Sequence, residues 1–192
     1  MKTLYLMRHG ETRFNQLHKI QGACDSPLTE KGRRQAQIAR TYFVSQQIQF
    51  GAAYSSTQER ASDTLEIVAP NRAYTRLKSL KEWDFGRFEA ESEDLNPKAV
   101  PYGDFFAAFG GERQAQVEAR MLSALTETLK QTDATTVLAV SHGGALACFT
   151  RATGNQMPTN LKNCCILKFS FDETQFVLED VINHDFSMLE KE

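Results

Sequence analysis

Two histidines, His9 and His142, each lie one residue beyond a short apolar run. Residues 4–7 and then Arg8 precede His9, and residues 137–140 and then Ser141 precede His142. Runs of this length, bounded by polar residues and glycine, indicate buried strands. Ligands of open α/β sheets bind beyond the carboxyl ends of the parallel strands, so we expect the two histidines to face one another across a site. Each is followed by glycine, which lets the backbone approach a ligand closely and suits a bound anion.

Length and composition favour a single domain over residues 1–192. The chain has 192 residues, of which 41% are hydrophobic, and can bury a substantial core. Its 22 Lys and Arg are offset by 24 Asp and Glu, so no nucleic-acid surface is expected. No run reaches the roughly 18 apolar residues of a membrane span, and the first apolar stretch ends at Arg8, too short for a signal peptide.

The four cysteines indicate a reducing compartment. They form no C-x-x-C pair, and the adjacent Cys164 and Cys165 are poorly placed to bridge one another. We therefore expect reduced thiols, no structural disulfide and a cytoplasmic location.

Strand-like and helix-like patterns alternate along the chain, which indicates an α/β fold. Strands are predicted at residues 3–8, 52–55 and 136–141, and β-rich runs at 164–171 and 175–182 indicate a closing hairpin. Helices are predicted after the N-cap residue Thr29 and over 57–68, 112–130 and 145–151. The total is about five or six strands.

Several familiar sites are missing from the sequence. It contains no G-x-x-x-x-G-K-[ST], no G-x-G-x-x-G and no G-x-S-x-G. No cysteine is followed six positions later by arginine, and no H-E-x-x-H or comparable cluster indicates zinc. The two histidines are therefore expected to work without a metal or a cofactor.

Five motifs occur in order along nearly the whole chain. They are R-H-G-E-T at 8–12, S-P-L-T-E-K-G at 26–32, S-S-T-Q-E-R-A at 55–61, L-K-E-W-D-F-G-R-F-E at 80–89 and S-H-G-G at 141–144. Together with Asn15 and Gln21-Gly22, this set resembles the histidine phosphatase superfamily, which contains the cofactor-dependent phosphoglycerate mutases. The resemblance implies a single-domain three-layer sandwich, in which helices flank a mostly parallel central sheet.

The residues around His9 fit transfer of a phosphoryl group. A neutral imidazole is a competent nucleophile toward phosphorus, and Arg8 and Arg60 favour the neutral form by repulsion, so His9 is the predicted nucleophile. Phosphoryl transfer needs alignment and positive charge around the phosphoryl oxygens, so we assign Arg8, Arg60 and His142 to that cage. The alternatives are surface ion pairs for the arginines and a structural role for His142.

The remaining site residues come from the resemblance. Glu82 lies where this superfamily carries its general acid, beside two aromatic residues that would favour its protonated form. Rival candidates are Glu11, Glu89 and Glu112, and Glu82 as a mere solvated residue is a further alternative. By analogy with the family, the phosphate contacts are completed by Asn15 and by the backbone of Gln21, Gly22 and Gly143. The alternative is that these residues only form ordinary loops and turns.

Specificity is expected to lie in residues 87–111. Tyr102, Phe105, Phe106 and Phe109 cluster there between polar stretches. These aromatic side chains either cap the pocket or pack as core beneath a connecting loop, and the sequence leaves both readings open.

The sequence therefore predicts a metal-independent phosphomonoester hydrolase of the histidine acid phosphatase type, with broad specificity toward small phosphorylated metabolites. Its partner is expected to be that small-molecule substrate, without nucleic acid or membrane, and a homodimer is left open. One alternative is a phosphoglycerate mutase, although Phe85 and Gly144 stand where mutases usually have tyrosine and asparagine. Another is a non-catalytic module that binds a phosphate ligand or a protein. The 80–89 motif also resembles that of α-ribazole phosphatases, but Ala90 replaces the usual glycine and leaves that substrate in doubt.

Overall fold

The structure is a computed structural model that describes residues 1–98 and 102–190, apart from the side chain of Glu190. Within these ranges the chain forms a six-stranded sheet in the order β3-β2-β4-β1-β5-β6. The strands are β1 (Lys2–Arg8), β2 (Ala52–Ser56), β3 (Thr75–Leu77), β4 (Thr136–Ser141), β5 (Ile166–Phe171) and β6 (Phe176–Ile182).

The central strands are parallel and share a register that aligns two strand ends. β4 pairs in parallel with β1 and β2, and β2 pairs in parallel with β3. β5 runs antiparallel to both β1 and β6. In the β1–β4 ladder, Arg8 lies opposite Ser141. Because both strands end at this level, the residues that follow them, His9 and His142, emerge side by side.

Helices cover both faces of the sheet. They are α1 (Arg13–Gln16), α2 (Glu30–Ser45), α3 (Glu59–Val68), α4 (Gln114–Gln131) and α5 (Gly143–Ala152). Side chains of a strand alternate between faces, so Leu4 and Leu6 of β1 pack in the core that contains α4 and α5, whereas Tyr5 and Met7 pack in the core that contains α2 and α3. The α/β three-layer sandwich predicted from the sequence is confirmed. Among the described residues, no helix has both the length and the apolar character needed to cross a membrane.

Local hydrogen bonds determine where the helices begin. Thr29 is the N-cap of α2, as predicted, and its hydroxyl accepts from the N–H of Gly32 at 2.9 Å. α3 begins at Glu59, later than predicted, because the Ser56 hydroxyl accepts from the N–H of Gln58 and this residue stays extended. The sequence pattern does not predict β3, which has only three residues and is mostly exposed.

Candidate active site

His9 and His142 meet at the carboxyl ends of β1 and β4. The backbone N–H of His9 donates to the carbonyl of Ser141 at 3.0 Å, which continues the pairing of the two strands. The imidazole centroids lie 5.2 Å apart, and the rings are inclined at 57°. His9 is only 4% exposed and His142 is fully buried. The fold therefore brings together the two histidines that the sequence places 133 residues apart.

The protonation of His9 follows from one hydrogen bond and two nearby cations. Its Nδ1 lies 2.7 Å from the carbonyl oxygen of Gly10. A carbonyl oxygen only accepts, so Nδ1 carries the proton and Nε2 of the neutral ring keeps its lone pair. Burial, and then the charges of Arg60 and Arg8, hold the pKa of His9 well below the ordinary value of 6.5. At neutral pH His9 therefore offers an unprotonated Nε2.

His142 has the opposite tautomer. Arg60 Nε donates to His142 Nδ1 at 3.1 Å, so this nitrogen is an acceptor. The proton of the neutral ring is then on Nε2, which lies 2.8 Å from the Ser56 hydroxyl oxygen. Burial, followed by the charges of Arg60 and His9, also holds the pKa of His142 well below 6.5. Two neutral rings, one with a free Nε2 and one with an Nε2–H, thus stand next to each other.

Arg60 is a buried cation that ties a loop to the histidines. Its side chain has no solvent exposure. One terminal nitrogen donates to the Cys24 carbonyl at 2.9 Å and to an Asp25 carboxylate oxygen at 2.8 Å, and the other donates to the Gly22 carbonyl at 2.9 Å. The positive charge of Arg60 therefore lies behind the two histidines, while most of its N–H groups are occupied by the loop of residues 22–25.

Glu82 is held on the first turn of α5. Its Oε1 accepts from the backbone N–H groups of Trp83 and Ala145, both at 2.8 Å, and its Oε2 accepts from that of Gly144 at 2.9 Å. The N-terminus of a helix favours a carboxylate in this position. Oε1 has two donors whereas Oε2 has one, so a proton on Glu82 is most readily accommodated on Oε2.

A cavity of about 300 Å³ opens beside His9. Six of the site residues predicted from the sequence line it: Arg8, His9, Asn15, Gln21, Glu82 and Gly143. The other three, Arg60, His142 and Gly22, are not among its lining residues. The backbone N–H of Gly22, which was predicted to contact phosphate, donates to Glu89 at 3.0 Å. That amide already has an acceptor within the protein.

The cavity wall carries donors suited to an anion. One terminal nitrogen of Arg8 donates to the Leu161 carbonyl at 2.6 Å, but Arg8 Nε is buried without a hydrogen-bond partner among the described residues. The Asn15 carbonyl oxygen accepts from Thr12 and Asn163, which leaves its amide nitrogen to donate. A buried, unpaired guanidinium N–H is costly, and a phosphate oxygen would satisfy it.

The chain that carries this arrangement matches a known protein family. The model of the histidine phosphatase superfamily (branch 1) matches residues 4–184. The chain belongs to this superfamily. This histidine phosphatase of 192 residues therefore carries two neutral histidines at the ends of adjacent strands.

Relatives of this histidine phosphatase carry more than one name. A probable phosphoglycerate mutase, GpmB, of Salmonella paratyphi A is 32% identical, over 92% of this chain and 88% of the relative. Among solved structures, YhfR of Bacillus stearothermophilus is 30% identical with a TM-score of 0.83, over 93% of this chain and 96% of the other. The phosphoserine phosphatase of Entamoeba histolytica, solved with 3-phosphoglyceric acid, is 29% identical with a TM-score of 0.79, over 96% and 98%.

The segment 87–111 of this histidine phosphatase combines both readings considered for its aromatic residues. Phe106 is fully buried in the core, whereas Tyr102 lines the cavity. Glu93 and Asn96 of the same segment also line the cavity. Residues 99–101 of the segment lie outside the described residues.

The rival carboxylates have other partners in the structure. Glu11 contacts Lys31 at 3.5 Å, and Glu112 pairs with Arg120 at 2.8 Å, which together with a backbone N–H lowers the pKa of Glu112 despite its burial. Glu89 accepts from four backbone N–H groups. Of the four carboxylates, Glu82 alone lines the cavity beside His9.

Two supporting residues are not identifiable from the sequence. Glu89 binds four backbone N–H groups of the segments that surround the cavity. Arg120 of α4 donates to the carbonyl groups of Ser79, Lys81 and Glu82 at 2.7–3.0 Å and so holds the segment that carries Glu82. A charged residue in a sequence does not reveal which backbone groups it will bind. Among the described residues, no group of three or more His, Cys, Asp or Glu side chains is arranged to hold a metal ion.

Proposed function

We propose that this chain is a phosphomonoester hydrolase that needs no metal ion and acts through a phosphohistidine on His9. The observation that carries the proposal is the unprotonated Nε2 of His9 in a cavity that also contains Arg8 and Glu82. The name of one structural relative supports phosphatase activity in general, since it is a phosphoserine phosphatase of Entamoeba histolytica.

The first step transfers the phosphoryl group to the enzyme. His9 Nε2 attacks phosphorus as the bond between phosphorus and the ester oxygen breaks. Glu82 Oε2 gives its proton to the leaving alkoxide, so the alcohol departs neutral and Glu82 becomes a carboxylate. The three backbone N–H groups that hold Glu82 stabilise the carboxylate that this step produces.

The second step returns the enzyme to its starting state. Glu82 accepts a proton from a water molecule as the water oxygen attacks the phosphorus of phosphohistidine. The bond between Nε2 and phosphorus breaks, inorganic phosphate leaves, and Glu82 is protonated again. Two in-line displacements give net retention of configuration at phosphorus.

The other site residues stabilise charge in these steps. Arg8 Nε donates to a phosphoryl oxygen, together with Asn15 and the backbone N–H groups of Gln21 and Gly143. His142 turns its Nε2–H from Ser56 to the phosphoryl group. Arg60 does not contact the phosphoryl group. It orients His142 through Nδ1, keeps both histidines neutral and holds the loop that follows Gln21.

Release of inorganic phosphate from a panel of phosphomonoesters, with a chelator present, tests the proposal. We expect release by the wild-type protein and none by His9→Ala. His18→Ala is the matched control, because the His18 side chain is 83% exposed, and it is expected to keep full activity. Mass spectrometry after a rapid acid-free quench should find phosphate on His9. Equal activity of His9→Ala and wild type would refute the mechanism.

The relatives named probable phosphoglycerate mutase favour a second candidate. A mutase would interconvert 2-phosphoglycerate and 3-phosphoglycerate and would be stimulated by 2,3-bisphosphoglycerate. Isomer conversion without phosphate release would replace the hydrolase proposal by this one. Binding of phosphoglycerates with neither reaction would identify a non-catalytic phosphate-binding module.

The proposed setting is the cytoplasm, with a small phosphomonoester as partner. All four cysteines are free thiols, which fits a reducing compartment. Burial raises the pKa of Cys164 and Cys165, the latter to about 11, so both are protonated and unreactive.

A further inference from the structure

A second cleft adjoins the cavity that contains His9. It has a volume of about 200 Å³. Phe85, Tyr102 and Gly144 line both spaces, so the cleft and the cavity are neighbours that share part of their walls. Gly144 has no side chain at this boundary, and a Cβ there would come within 2.8 Å of Glu82 Oε1. The cleft therefore begins next to the proposed proton donor.

The walls of the cleft are mainly apolar. Trp83 stacks on Phe85 with centroids 6.2 Å apart and meets Tyr102 edge-on at 6.0 Å. The indole N–H of Trp83 donates to the Glu112 carbonyl at 2.7 Å, so it needs no acceptor from a ligand. Opposite these rings lies one face of α5, where lining residues recur with helical spacing: Gly144, Ala147, Cys148 and Arg151.

The two long polar side chains of the cleft are already engaged. Gln114 donates to Glu118 at 2.6 Å, and Arg151 lies 3.5 Å from the same carboxylate. Burial, with Glu82 and Glu118 nearby, raises the pKa of Cys148 to about 12, so this thiol is neutral. Among the described residues, the cleft consequently presents no unpaired charge, in contrast to the cavity beside it, where Arg8 Nε has no hydrogen-bond partner.

We propose that this cleft binds the apolar part of the alcohol in a phosphomonoester whose phosphate sits against His9. The inference rests on the proposed hydrolase function and adds the substrate class: esters of aryl-alkyl or branched alkyl alcohols. The volume suits one aromatic ring, because an apolar cavity of roughly 150 Å³ is enough to hold benzene. Burying the ring removes apolar surface from water, and the adjoining anion site fixes the phosphate.

A series of esters with alcohols of similar acidity separates binding from leaving-group chemistry. It comprises ethyl, benzyl, 2-phenylethyl and 3-phenylpropyl phosphate. We expect kcat/KM for the best phenylalkyl ester to exceed that of ethyl phosphate by about tenfold or more, as expected for a hydrophobic pocket that gains several carbon atoms. The length of the best ester would report the distance between the phosphate and the cleft.

Substitution of Ala147 tests whether the preference arises in the cleft. Ala147→Leu fills part of the space and is expected to remove most of the preference while leaving kcat/KM for ethyl phosphate unchanged. Ala152→Leu is the matched control, since it makes the same change on α5 at a residue that does not line the cleft. Ala147→Ser keeps the volume and adds a hydroxyl, so it should weaken the preference without threatening the fold.

The outcomes distinguish this proposal from the proposed function. A wild-type protein that hydrolyses every ester equally well, or an Ala147→Leu variant that keeps the phenylalkyl preference, would overturn the cleft assignment and leave the hydrolase intact. If no ester is hydrolysed, the hydrolase proposal fails. The cleft is then judged by calorimetry with His9→Ala, where tighter binding of 2-phenylethyl phosphate than of ethyl phosphate supports it and equal binding refutes it.

Discussion

Replacement of Glu89 by glutamine should markedly destabilise the protein, although it keeps the shape of the side chain. Glu89 Oε2 accepts from the N–H groups of Gly22 and Cys24, both at 3.0 Å, and Oε1 accepts from those of Ala23 and Phe85 at 2.7 and 2.9 Å. Each oxygen thus has two donors. Whichever way a glutamine amide is turned, its NH₂ group faces two N–H groups and can accept from neither.

The expected loss follows from the hydrogen bonds. Two bonds to a charged acceptor contribute about 1.5–3 kcal/mol each, so losing two predicts a decrease of roughly 3–6 kcal/mol in the free energy of unfolding. Glu89 is only partly buried, so water will replace some of these contacts, and we expect the lower end, about 3 kcal/mol. With a denaturant slope near 2 kcal/mol/M, the urea midpoint should fall by roughly 1.5 M.

Urea unfolding followed by circular dichroism measures the effect. The matched control is Glu91→Gln, two residues away on an exposed side chain, which should unfold within about 0.5 kcal/mol of wild type. If Glu89→Gln unfolds together with Glu91→Gln, the four hydrogen bonds do not hold the cavity segments and the reasoning is wrong.

Three further predictions follow from the buried charges and rings. The pKa values of His9 and His142 in the folded protein lie below 6.5, so the unfolded chain binds more protons than the folded protein below about pH 6.5. The free energy of unfolding should therefore fall as the pH drops from about 7 to 5. Urea midpoints measured over this range should fall less steeply for His142→Gln than for wild type. Glu82→Gln should lower kcat by about 10²–10⁴-fold for alkyl esters and far less for p-nitrophenyl phosphate, whose leaving group needs no proton; equal losses for both esters would argue against a general acid. Arg60→Lys should cost roughly 3–5 kcal/mol of stability because a lysine cannot reach His142 and the loop carbonyls together, while the exposed Arg76→Lys, assayed in the same urea titration, should change little.

The central strands and the position of the two histidines could be predicted from the sequence for a simple physical reason. Residues 4–7 and 137–140 are apolar without interruption, as expected of strands that are buried on both faces, and parallel pairing then places the following residues together. β3 was not accessible in this way, because three mostly exposed residues leave no apolar pattern.

The hydrogen bonds that support the site could not be predicted from the sequence pattern. Arg60 reaches His142 across 82 residues and binds carbonyl groups of residues 22 and 24, which any sequence would offer equally. The motifs predicted a positive charge near the phosphate. In the structure, Arg60 does not line the cavity, and its N–H groups donate to His142 and to the loop of residues 22–25. Gly22 illustrates the same limit, since only the folded chain reveals that Glu89 takes its N–H.

The residues on the two sides of Glu82 differ in how much the fold depends on them, and this difference affects how the protein can acquire new substrates. Arg60 and Glu89 hold the loop of residues 22–25 beside the cavity, so most substitutions of either residue would prevent folding before activity could be selected. Ala147 faces the neighbouring cleft from α5 and has no polar side-chain atom with which to hold other segments. Laboratory evolution at this position should therefore change the substrate range while the residues around His9 stay the same.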